Sequence, residues 1–179
     1  MAIRLGMILL LVASLAVAEG ESPAKPIRVR FLCRYGEVVS PYFAHRCAEQ
    51  AEERGSRAIH AEPGASFEPE VDDALPSHVE VLERILGYRY VVIVLTNPVI
   101  VQHYQWVSES LASRTGRAQL IREALAEGRD DIARTLRSPD LVVPRVLSMA
   151  EASEKGNFAP LLDRIERDEC AARLAQPSS

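Results

Sequence analysis

The chain is short of several things, and each shortage narrows what it can be. Cysteine is scarce: Cys33, Cys47 and Cys170 are its only three. That is too few for a disulfide-built scaffold, and in an oxidising compartment at least one thiol stays unpaired. A basic excess is missing. With 21 Lys+Arg against 25 Asp+Glu the formal charge is −4, and no basic stripe appears, which argues against a nucleic-acid partner. Metal-ligand spacing is lacking, because His60, His78 and His103 keep no regular interval with one another or with the cysteines. The acids of EPEVDD lack the alternating oxygen pattern of a calcium loop and read as a solvated stretch. No internal repeat or low-complexity tract divides the chain, and no cofactor motif is found. After residue 18 no run is long and apolar enough to cross a bilayer.

What is present begins with that first segment. Arg4 precedes LGMILLLVASLAV (5–17), and AVA (16–18) supplies the small residues that a signal peptidase requires. A secretory signal over 1–18 is the expectation, giving a secreted or periplasmic protein of the cell envelope. An uncleaved N-terminal anchor is the alternative, although the run falls short of the roughly 20 residues of a span. No cysteine follows the run, which argues against a lipoprotein anchor. Residues 19–26 read as a linker, 27–175 as one domain and 176–179 as a tail. Cleavage removes Arg4 and takes the formal charge from −4 to −5.

Periodicity organises the domain. IRVRFLC (27–33) puts Ile27, Val29, Phe31 and Cys33 on one face of a strand. SPYFAHRCAEQAEERG then reads as a helix, with Ser40 as cap, Pro41 at the first helical position and Gly55 as stop. Phe43, Ala44, Cys47, Ala48 and Ala51 form its inner face. RAIHA (57–61) is a short second strand. SHVEVLERILG has a capping box in Ser77 and Glu80, an apolar stripe of Val79, Leu82, Ile85 and Leu86, and Gly87 past its end. RYVVIVLT (89–96) is apolar on both faces, as a central parallel strand is, and Asn97-Pro98 ends it. From 99 to 137 the pattern is mostly helical, with Leu120, Ile121, Ala124 and Leu125 on one side. LVV (141–143) reads as a last strand. FAPLLDRIERDECAARL closes as a helix, with Phe158, Leu161, Leu162 and Ile165 inward. Strands alternating with helices predict an α/β three-layer sandwich around a short, about four-stranded parallel sheet.

In such folds the first strand-to-helix turn is a favoured ligand site. Here it holds Cys33, Arg34, Tyr35, Gly36, Glu37, Val38, Val39 and Ser40. Backbone amides gathered at a helix N-terminus suit an anion, and the same field favours a thiolate at Cys33. Gly36 can adopt the left-handed conformation that such a cradle uses.

Strand, cysteine loop, Ser-Pro and helix in this order resemble the low-molecular-weight protein tyrosine phosphatases and their arsenate reductase relatives. Cys33 matches the family's nucleophile, and Ser40-Pro41 match the pair that follows its arginine. AEERG, SHVEVLERILG with the strand after it, and LVVP with the closing helix extend the resemblance over most of the mature chain. It implies that fold and a cysteine-based phosphate site. The departures lie at the reactive places. Val39 stands where the family's phosphate-clamping arginine does. Val143-Pro144 stands where its general-acid aspartate precedes a proline, and Asp140 lies three residues earlier. Loss of both groups removes a transition-state clamp and roughly 10²–10⁴-fold of general-acid help.

The resemblance therefore implies a catalytically impaired relative that keeps phosphate or oxyanion binding in the loop and serves a binding or scaffolding role. Several alternatives stand beside it. One is an active cysteine phosphatase. A second is thiol redox chemistry, with Cys47 as the resolving cysteine. The Cys-x-x-Gly of residues 33–36 also resembles cysteine-phosphorylated sugar-transport subunits, whose cytosolic partners conflict with a signal segment. The last is a module for an unidentified protein partner, with Tyr104 and Trp106 at its surface and the loop inert. Other roles stay open too. Cys33 can be a small core hydrophobe, Cys47 either core or a partner of Cys170, and His45 either solvated or close to the loop.

Overall fold

The computed structural model describes residues 25–33, 36–56, 58–64, 75–94 and 97–174. The segment read as a secretory signal lies outside them. One parallel sheet organises the rest. β1 (Ile27–Cys33) pairs with β2 (Ile59–Pro63) on one side and with β3 (Tyr90–Val94) on the other, and β4 (Arg145–Ser148) lies beyond β3. The order is β2-β1-β3-β4, all parallel. β3 is buried at every position, which is why its sequence shows no polar alternation.

Period-two alternation along the strands sorts the core into two layers. Val29, Phe31 and Cys33 of β1 join Tyr90, Val92, Val94 and Leu147 on one face. α1 (Gly36–Glu53) covers that face with Ala44, Cys47 and Ala51, and α7 (Ala159–Leu174) with Leu161, Leu162 and Ile165. Phe158, just before α7, meets Phe31 edge-on at 5.4 Å. Leu32, Val91, Ile93 and Val146 point the other way, towards α2 (His78–Ile85), α3 (Pro98–Ala112), α4 (Arg114–Ala126) and α5 (Asp130–Arg137). The three-layer α/β sandwich expected from the sequence is the fold found. Among the described residues no helix is long and apolar enough to cross a membrane.

Local punctuation accounts for most boundaries. The Ser77–Glu80 capping box forms in both directions, with Ser77 N donating to Glu80 at 2.6 Å and Glu80 N to Ser77 Oγ at 3.2 Å. Gly55 and Gly87 take positive φ where their helices end, a conformation glycine adopts without strain.

Other expectations need correction. The long helical stretch is three helices and begins at Pro98, because Asn97 caps it by accepting from Val99 N at 2.9 Å. Ser113 then ends α3 and caps α4. Leu125, expected inward, is exposed, while Leu120 and Ala124 are buried. β2 runs two residues later than expected. The last strand is Arg145–Ser148, not 141–143. Pro144 has no N–H to place in a ladder, and its carbonyl accepts from the Ser108 hydroxyl. The ladder therefore opens one residue later, where Arg145 N donates to Arg89 O at 2.9 Å.

Candidate functional site

A doubly wound parallel sheet opens its crevice outside the carboxyl ends of its strands, at the point where the strand order reverses. Here that point lies between β1 and β3, since β2 is added on one side of the pair and β4 on the other. Cys33 is the last residue of β1 and stands in register with Val94, the last of β3. The Cys33 side chain is completely buried.

The connection after Cys33 is shorter than the sequence suggested. α1 begins at Gly36, so only residues 34 and 35 separate strand from helix. Arg34 and Tyr35 lie outside the described residues, as do the side chains of Glu37 and Val38. Ser40 is therefore not the helix cap, and Pro41 lies inside the helix, where it removes one backbone bond. Tertiary contacts give the physical reason. The buried Ser40 hydroxyl donates to Phe31 O at 2.6 Å and accepts from Gly64 N at 3.1 Å, which ties α1 to the ends of β1 and β2. Val39 packs half-buried against the core layer beneath α1.

Gly64 completes this junction. Its N–H also reaches Phe31 O at 2.7 Å. A Cβ there would stand 2.9 Å from that carbonyl and collide with the Leu32 side chain. Two further helix starts share the carboxyl end of the sheet. Asn97 opens α3 after β3. Ser148 and Glu151 form a capping box around α6 (Met149–Ala152) after β4, Ser148 N donating to Glu151 at 2.7 Å. A cleft of about 540 Å³ lies beside them, lined by Ile93, Pro98, Gln102, Gln105, Met149 and Glu151 among others. The S-x-x-E spacing of 148–151 and the Asn-Pro pair are legible helix starts that the sequence reading passed over.

The other candidates fall elsewhere. Asp140 lines a cleft of about 370 Å³ with Arg28, Arg89 and Glu169. That cleft is at the amino ends of β1 and β3, so the sheet separates it from Cys33. Val143-Pro144 also precede their strand. His45 is exposed and meets Glu49 at 3.1 Å along α1. Cys47 is a core residue whose thiol burial pushes up to about 12, so it stays protonated at neutral pH. Cys170 is exposed on α7, and none of the three cysteines is paired. Tyr104 is buried with its hydroxyl 3.2 Å from Arg84, while Trp106 is 44% exposed. No known protein family, curated protein or solved structure matches the chain.

Proposed function

We propose that this chain is an exported, phosphatase-like α/β protein that binds phosphate or a similar oxyanion beside Cys33 and does not turn it over. One coincidence carries the reading: Cys33 and the start of the 18-residue α1 both fall where the strand order reverses. The first-turn N–H groups of a helix lack intrahelical acceptors, and they carry the positive end of its dipole. An anion outside the end of β1 would meet them.

Several features argue against turnover. Val39 lies half-buried against the core layer at the place where the resemblance puts a clamping guanidinium. Asp140 is at the far end of the sheet. The carboxylate of Glu151, on the right side of the sheet, is engaged in its own capping box. The buried Cys33 also lacks the access that a nucleophile needs, and the core position of Cys47 leaves it poorly suited as a resolving thiol.

Inorganic phosphate titrated into the full chain should shift the backbone amide resonances of residues 36–39, with saturation in the millimolar range. An aryl phosphate should show no turnover above that of a Cys33→Ser variant. Unshifted amides sink the binding half of the reading, and turnover abolished by Cys33→Ser sinks the inactive half. A second reading, a module for a protein partner, draws on the exposure of Trp106. Partner capture lost in Trp106→Ala but kept in Cys33→Ser would favour it.

A further inference from the structure

Three rings meet where the start of α2, the middle of α3 and the second half of α4 come together. His78, the first residue of α2, stacks at 4.6 Å on Trp106 and lies 5.4 Å from His103, centroid to centroid. His78 Nδ1 is 2.8 Å from a carboxylate oxygen of Glu123, and His103 Nε2 is 2.9 Å from the carbonyl of Pro76.

The acceptors settle both tautomers. A carboxylate and a carbonyl can only accept, so His78 must donate from Nδ1 and His103 from Nε2. Each neutral ring then keeps its lone pair on the opposite nitrogen, Nε2 of His78 and Nδ1 of His103. Ligating histidines are oriented in the same way: one nitrogen donates to a carboxylate or backbone carbonyl, and the other faces the metal.

The ring spacing fits as well. A metal–nitrogen bond of about 2.0–2.1 Å plus the ring's own radius puts an imidazole centroid roughly 3.2 Å from the ion. Two imidazoles at a tetrahedral angle then stand about 5.2 Å apart, against 5.4 Å here. Among the described residues no third His, Cys, Asp or Glu completes a cluster, so water would fill the remaining positions. Imidazole donors select copper and zinc over calcium and magnesium, and copper binds more tightly than zinc.

We propose that His78 and His103 form an open two-imidazole site for a divalent copper or zinc ion, with Glu123 and the Pro76 carbonyl orienting the two rings. Trp106 closes one side of His78, and as the chain's single tryptophan it reports on the site directly.

Copper(II) added to the full chain at pH 7.5 should quench Trp106 emission and saturate at one equivalent, while calcium and magnesium leave it unchanged. His78→Ala and His103→Ala should each weaken the ion at least tenfold. Glu123→Gln should do so by roughly 10–100-fold. His45→Ala and His60→Ala should leave the affinity unchanged. A measurement on the unaltered chain covers misfolded variants: zinc should shift the ring protons of two of the four histidines, with nuclear Overhauser contacts from one of them to Trp106. Quenching indifferent to both His78 and His103, or zinc shifts confined to the other two histidines, would overturn the proposal.

Discussion

The two ends of the sheet are held together by different chemistry. At the amino end charges meet: Arg89 pairs with Glu169 at 3.4 Å and Arg145 with Asp168 at 2.9 Å, and the buried Tyr90 hydroxyl donates to Asp168. Arg54, on the way into β2, pairs with Asp163 at 2.7 Å. Among the described residues the carboxyl end relies mainly on hydroxyls and backbone amides, with one carboxylate, Glu151, inside its own capping box. Ser40 bridges Phe31 and Gly64, Asn97 caps α3, and Ser148 caps α6. Exposed ion pairs contribute little individually and are screened by salt. Buried hydrogen bonds between neutral groups are insensitive to salt and geometrically strict. The Ser40–Gly64 junction at the carboxyl end is thus held by neutral hydrogen bonds and not by an ion pair.

The sharpest test of this contrast is Gly64→Ala. The added methyl meets the Phe31 carbonyl and the Leu32 side chain, and overpacking of this kind costs about 2–3 kcal/mol. Ser40→Ala at the same junction should cost about 1–2 kcal/mol. Both losses, read from urea midpoints, should be the same at low and high salt. A loss that shrinks with added salt would break the comparison.

At the other end, Asp168→Ala strands the Tyr90 hydroxyl and frees Arg145. A loss of about 1–2 kcal/mol is expected, with the ion-pair share fading in high salt. Adding Tyr90→Phe should recover part of it, because the unpartnered hydroxyl is then gone. If the double variant is as unstable as the sum of the two single ones, the hydroxyl and the carboxylate are not coupled.

The smallest effect concerns the Glu62 carboxyl. The Arg28 guanidinium, at 3.0 Å, holds it below the usual carboxylate range, helped by the Tyr88 hydroxyl and opposed by partial burial. A depressed native value means that its contribution is present above the unfolded pKa of about 4.3 and is lost as pH falls through the native one. Glu62→Gln should remove that part of the acid limb. The expected size is under about 1 kcal/mol, since the pair is partly exposed. An acid limb that stays unchanged below pH 4 would remove Glu62 from the account.

Much of the architecture was legible in the residues. Alternation in IRVRFLC assigned Val29, Phe31 and Cys33 to one layer, and the unbroken apolar run of β3 marked a strand covered on both faces. The box at Ser77 and Glu80 and the stops at Gly55 and Gly87 follow from backbone rules that act within a few residues. The misreadings share a cause. Ser40-Pro41 has the composition of a helix start, but a hydroxyl bonds to whichever backbone groups the fold brings near, and here those belong to β1 and the end of β2. Leu141 to Val143 have strand composition, yet Pro144 and the pull of the Arg89 carbonyl on Arg145 moved the ladder. His78 and His103 are too far apart in the chain for any spacing rule to connect them.

Local periodicity and capping chemistry were enough to establish the elements, their order and the faces they bury, because those preferences act over a few residues. Only the assembled fold decided which groups stand beside Cys33, that Asp140 lies across the sheet from it, and that two imidazoles distant in the chain stand 5.4 Å apart. Such contacts depend on long-range packing, where a shift of one helical turn or one strand position changes every partner.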